Sequence, residues 1–200
     1  TFSYSQLFRD DRFVGGDRIG DSEQISVGFT TRLIDQSTGV ERLRASLGQI
    51  FYLDDRYVSL NTALTKSVLN NLGSPNELAN LQQRELADGL LRDESAYAAE
   101  FSLRLWDNVR LQADALYDED NSELDRASAS LRYHGNNNQI FNLGYRFINK
   151  IPREVNSQLY EADIEQADFS TIFPISKNWN LIGRHNYDVT NSRNLETFVG

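Results

Sequence analysis

The sequence predicts an all-β protein: an antiparallel up-and-down meander of about nine strands, forming part of a large transmembrane outer-membrane β-barrel, with a helical insert in one external loop. Three observations predict it. Apolar and polar residues alternate over repeated runs of about ten residues, short and long connections alternate between the runs, and aromatic residues gather at the run ends.

The alternation starts with Ile25, Val27, Phe29 and Leu33, between which fall Ser26, Gly28, Thr30 and Arg32. Period two puts one set on each face of a strand. The pattern recurs in 43–53, where Leu43, Ala45, Leu47, Phe51 and Leu53 oppose Arg44, Ser46 and Gly48, and in 97–105, where Tyr97, Ala99, Phe101, Leu103 and Leu105 oppose Glu100, Ser102 and Arg104. It continues through 109–117, 127–133, 141–147, 167–173 and 179–189, and a ninth strand begins at Leu195. Runs of about ten residues suit a membrane-crossing strand, which needs about 9 to 11, better than a globular strand of about 5 or 6. A soluble β-sandwich also alternates and stands as an alternative.

The connections at 35–39, 107–108, 135–137 and 176–178 are short and rich in turn formers. Those at 54–95, 118–123, 149–158 and 190–194 read as longer loops. Short turns on one rim and long loops on the other are the layout of an outer-membrane barrel. Trp106, Tyr133, Phe173 and Trp179 flank the short turns as membrane-interface aromatics, while Phe51, Tyr52, Tyr97, Tyr117, Phe147 and Tyr187 lie toward the other rim.

Within the longest loop Leu60, Leu64, Val68, Leu69 and Leu72 step at helical spacing until Gly73. Ser74, Pro75, Asn76 and Glu77 then form a capping box with Pro at the first helical position. These features predict a helical insertion over residues 62–92, inside a partial barrel domain that spans 1–200.

Composition narrows the function. The 200 residues carry 20 Lys plus Arg against 29 Asp plus Glu, a net charge of -9, which argues against nucleic acid as a partner because phosphate binding leaves a basic footprint. With no Cys there is no thiol nucleophile or Cys-ligated metal in these residues. No run approaches the roughly 18 to 20 apolar residues of a membrane helix, and the opening segment lacks the layout of a signal peptide. A chain opening on Thr1 rather than Met reads as an excerpt of a longer one.

No catalytic constellation is present: His134 and His185 are isolated, and the motifs HExxH, GxSxG and a glycine-rich phosphate loop are missing. The chain is therefore read as no enzyme, with no cofactor and no assigned metal. Asp118, Glu119, Asp120 and Glu123 have oxygen ligands suited to calcium or magnesium, or form a simply solvated loop. Arg42, Arg44, Glu100, Arg104, Arg110, Asp114, Arg126, Arg132, Arg146 and Arg184 fall on the polar face, so in a barrel they point to the lumen. Such a lining can hydrogen-bond sugars and phosphates or hold a protein plug.

Four segments, in order, resemble one family. SQLFRDDRFVGGDRIGDSEQISVGFTTRLID (5–35), VERLRASLGQIFYL (40–53), SLRYHGNNNQIFNLGYRF (130–147) and EQADFSTIFPISKNWNLIGRHNYD (165–188) are similar to successive strands and hairpins of the LptD family, which assembles lipopolysaccharide at the Gram-negative surface. The resemblance implies a barrel of about 26 strands behind a periplasmic jellyroll. It also implies an LptE-like lipoprotein plug inside the barrel, delivery of lipopolysaccharide along a periplasmic Lpt bridge that docks on an N-terminal domain, and release into outer-membrane lipid through a lateral opening. Its sugars would leave through the lumen. On this reading the chain is the later half of the barrel, short of the lateral gate and of the family's adjacent cysteines. The helical insertion departs from the family's pattern. A general porin-like channel remains the competing membrane reading.

Overall fold

The computed structural model describes residues 3–8, 23–54, 92–155 and 158–200, with backbone alone for 150–155 and 158–162. Nine strands form one antiparallel sheet in chain order: β1 (Gln24–Ile34), β2 (Glu41–Tyr52), β3 (Tyr97–Trp106), β4 (Val109–Asp118), β5 (Glu123–His134), β6 (Ile140–Val155), β7 (Gln158–Ser176), β8 (Trp179–Asp188) and β9 (Arg193–Val199). This is the expected meander, with β9 beginning at Arg193 rather than Leu195. Among the described residues β9 does not pair with β1, so the sheet is open. The predicted helical insertion lies outside the described residues, apart from Arg92.

Register follows the apolar alternation. Leu33 pairs with Leu43, then the row continues through Leu103, Leu111, Leu131 and Leu143 to Phe169. A slip of one residue at any ladder would throw half of that row onto the polar side. Irregularities are local. The one between Arg104 and Trp106 sets Trp106 opposite Val109, on the apolar face, where unbroken alternation from Leu105 would have sent it to the other.

The rims differ from the expected succession of short turns and long loops. The segment 149–158 is mostly strand: β6 and β7 stay paired out to Val155 and Gln158, whereas β5 last meets β6 at Ile148 and β8 last meets β7 at Gln166. The hairpin therefore projects beyond its neighbours. The turns at 119–122 and 189–192 are tight and alike, because each is built on Asp-x-x-Asn-Ser. Asp118 Oδ1 accepts from the Asp120 and Asn121 amides, and Asn121 Nδ2 donates to Asp118 Oδ2 at 2.9 Å. Asp188 repeats the scheme with Asn191, whose amide and Nδ2 donate to it at 3.0 and 2.9 Å. Both turns close through a serine in the left-handed region, Ser122 at φ 53° and Ser192 at φ 49°. In the acidic loop Asp118 is taken up by its turn and by Arg92 at 2.7 Å, and no cluster of three acidic or histidine ligands occurs among the described residues.

The buried core is small and lies on the polar face. A 3-10 turn at Tyr4–Gln6 brings Leu7 against Ile50, Ala98 and Leu116, with Tyr4 and Tyr52 packed around them. Tyr52, expected at the aromatic rim, is thus engaged in this core. Gly28 and Gly48 face each other across β1 and β2 and leave the space that the segment fills. Tyr4 Oη meets Thr30 Oγ1 at 2.9 Å, and the Ser26 hydroxyl donates to the Leu7 carbonyl.

At the first short turn the Gly39 amide donates to the Asp35 carbonyl at 2.8 Å with Gly39 at φ 69°. The Ser37 hydroxyl and amide, followed by Arg42 and the Thr38 amide, hold the Asp35 carboxyl down at about 2. Arg42 also reaches Asp107 at 2.8 Å and so ties this turn to the next one on the same rim.

Two predictions follow from these contacts. Gly48→Val would set a Cβ 2.7 Å from both Leu7 Cδ1 and the Val27 carbonyl. It is expected to cost about 1 to 3 kcal/mol and to expose residues 3–8 to protease in the intact protein. The depressed Asp35 value means that its stabilisation is complete above its ordinary value of 3.8 and is lost as pH falls from there toward about 2. Hydrogen exchange in the 35–39 turn should rise over that window, and Asp35→Asn should abolish the dependence.

Candidate functional site: two faces of one wall

The polar face gathers the predicted residues in ranks across β3, β4 and β5. Nearest the short turns, Arg104 pairs with Arg110, which pairs with Arg132. The next rank is Ser102, Gln112 and Ser130, and the one beyond is Glu100, Asp114 and Ser128. Ranks on one face are about 6.6 Å apart and strands about 4.8 Å, so the arginine and acidic ranks stand about 13 Å apart. Glu41, Arg44, Glu100, Arg104, Arg110 and Asp114 are among the residues that border a cavity of about 650 Å³, within the size range of ligand sites.

The predicted residues separate by partner. Arg42 bridges Asp35 and Asp107 at the rim, and Arg44 meets Glu41 at 3.0 Å. Arg146 donates to Gln166, and Arg184 pairs with Asp168 and Glu196, each at 3.2 Å. Asp114 accepts from the Ser128 hydroxyl. Arg126 lies between Leu116 and Ile148 in register, with its Nε buried and without a hydrogen bond among the described residues. Arg104, Arg110 and Arg132 have no ion pair or hydrogen bond among the described residues. Sequence reasoning placed all three on this face. It missed their direct opposition, which depends on register across turns.

The apolar face is exposed. Phe29 is 75% accessible, Trp179 72% and Trp106 64%, values that a sandwich core would not leave. Tyr133, Phe141 and Phe173 form a chain of rings across β5 to β7, with centroids 5.9 and 6.4 Å apart. From Tyr97 to Trp106 the path along β3 is about 30 Å, which at a tilt near 40° gives a height of about 23 Å, close to the apolar band of an outer-membrane strand. His185, on this face, meets Thr197 Oγ1 at 2.9 Å and stacks on Tyr187, a structural role. His134 is exposed at the end of β5 beside the 135–139 turn.

One long-stranded meander with an exposed apolar face, a charged opposite face and ring-lined rims defines a wall of the outer-membrane β-barrel class. The comparisons agree: a family model for LptD, described as LPS transport system D, matches residues 1–179, and the chain belongs to the LptD family, whose members are outer-membrane transport proteins rather than enzymes. The chain is 38% identical to the LPS-assembly protein LptD of Saccharophagus degradans, 33% to that of Hahella chejuensis and 35% to that of Pseudomonas aeruginosa, each over its whole length. It covers 21%, 21% and 22% of those proteins, so it spans about a fifth of the relatives it matches.

The two faces should respond oppositely to charge. Leu111→Arg is expected to cost about 2 to 4 kcal/mol in the intact protein in lipid vesicles, and Gln112→Arg close to nothing. Urea unfolding of both variants measures the difference.

Proposed function

We propose that these residues are a section of the wall of a plugged barrel that inserts lipopolysaccharide into the outer leaflet. The observation that carries this reading is the continuous sorting of residues onto two faces in a chain of the LptD family. An open sheet edge leaves backbone N–H and C=O groups unsatisfied in hydrocarbon, so further strands must complete the wall. The apolar face then meets outer-membrane lipid. Arg42, Arg44, Glu100, Arg104, Arg110, Asp114, Arg126, Arg132, Arg146 and Arg184 line the lumen, because a midplane arginine facing lipid costs about 2 to 4 kcal/mol.

In the lumen the wall meets an LptE-like lipoprotein plug and the sugars of the transported glycolipid, which a periplasmic Lpt bridge delivers. Trp106, Tyr133, Phe173 and Trp179 sit at the interface on the short-turn side, where ring edges meet both headgroups and acyl chains.

Conditional depletion of the intact polypeptide in its host tests the reading. The expected result is lipopolysaccharide accumulating in the inner-membrane fraction, together with co-purification of a lipoprotein with the tagged polypeptide. Unchanged lipopolysaccharide distribution, with an open-pore conductance of the purified protein, would replace it by a passive channel.

A further inference from the structure

His185 stands on the apolar face, opposite Phe169 on β7 and Thr197 on β9, and is exposed there. Ionisable side chains at membrane depth ordinarily turn to a lumen or a protein partner, because hydrocarbon offers no hydrogen bonds. His185 lies two residues from Tyr187 and so about 5 Å below that ring, toward the level at which acyl chains join a headgroup.

The side chains around it fix which ring nitrogen is used. Asn194 Nδ2 donates to Thr197 Oγ1 at 2.7 Å, so the threonine proton goes to His185 Nδ1, 2.9 Å away. Nδ1 is then the acceptor, and Nε2 carries the ring proton. Nε2–H has no acceptor among the described residues, while the ring itself stays stacked on Tyr187. A donor so placed is costly in hydrocarbon unless a lipid supplies the acceptor.

Beside it the wall is hollowed. Gly183, two residues along β8 on the same face, has Thr171 opposite on one side and Val199 on the other. A Cβ at Gly183 would lie 3.3 Å from Thr171 Cγ2, so that methyl lines the gap the glycine leaves. Thr171 Oγ1 is buried without a hydrogen bond among the described residues, and a turn about χ1 exchanges it with the methyl. Thr171 and His185 are diagonal neighbours about 7 to 8 Å apart, a span that one small polar group bridges with a hydrogen bond to each. An ester, which only accepts, would leave the acceptor capacity of Thr171 unused. A secondary amide carries N–H and C=O side by side and answers both residues.

We propose that His185, Thr171 and Gly183 form a docking site on the apolar face for an amide-linked acyl chain of a membrane lipid. Its carbonyl accepts from His185 Nε2, its N–H donates to Thr171 Oγ1, and its chain passes over Gly183. The proposal rests on the reading that this face meets outer-membrane lipid and takes nothing from what the lumen carries.

The test uses the intact protein in nanodiscs of phosphatidylethanolamine, with two synthetic glucosamine lipids that differ only in joining the same acyl chain by an amide or by an ester. Retention of each through delipidation, read by native mass spectrometry, measures binding. Wild type is expected to hold the amide lipid about three- to tenfold more tightly than the ester, the range of one hydrogen bond. His185→Phe, which keeps a ring against Tyr187, and Thr171→Val should each remove that preference. Gly183→Leu should weaken both lipids by filling the gap. A purely structural His185 would lower the unfolding temperature on substitution and leave the amide preference intact. Equal retention of the two lipids by wild type, a preference for the ester, or an amide preference that survives either His185→Phe or Thr171→Val would overturn the proposal. If it is overturned while Leu111→Arg remains costly, the site alone is lost; if Leu111→Arg proves as harmless as Gln112→Arg, the lipid-facing reading itself is lost.

Discussion

Each residue of the sheet is committed to a face by the ladder of backbone hydrogen bonds that runs without a break in order from β1 to β9. Because side chains alternate with period two, one register decides at each ladder which side chains meet a neighbour and which point away. The row from Leu33 to Phe169 and the rank from Arg104 to Arg132 are two consequences of the same pairing. Changing either requires a slip that would change both.

The wall is not uniform along its height. On β3 and β4 the polar face runs from Arg104 and Arg110 near the short turn through Glu100 and Asp114 to Ala98 and Leu116, where Leu7 docks. The facing glycines at 28 and 48 let an upstream segment lie on a surface that would otherwise be open. At the rims, Asp118 and Asp188 spend their carboxylates on turn amides and on Arg92 and Arg193, which accounts for part of the acid excess without a ligand. The projecting β6–β7 hairpin supplies extended backbone where a loop was expected.

Strand positions were legible because burial on one side demands strict alternation, and alternation survives in the sequence whatever the neighbours do. The faces of Arg104, Arg110 and Arg132 were legible for the same reason. The Asp-x-x-Asn-Ser repeat was also available, since DEDNS and DVTNS stand in plain sequence, but the acids were weighed only as cation ligands or as a solvated loop and not as turn acceptors. Trp106 reached its expected face only through a bulge, which adds one residue and leaves no compositional mark. Tyr52 stands at the expected rim, and its packing against the cluster of Leu7, Ile50, Ala98 and Leu116 was not legible because Leu7 is far away in sequence and belongs to no repeating pattern.

By itself the sequence determined the architecture, the two-faced chemistry and the resemblance to a family, since each is written in local periodicity or in ordered motifs. Tertiary structure alone decided which charges oppose one another, where Leu7 docks and how far β6 and β7 extend. Those outcomes depend on register between strands joined by turns of different lengths, and on contacts between segments with no shared local code. An arginine's face is a property of its own strand, whereas its want of a partner is a property of the strands beside it.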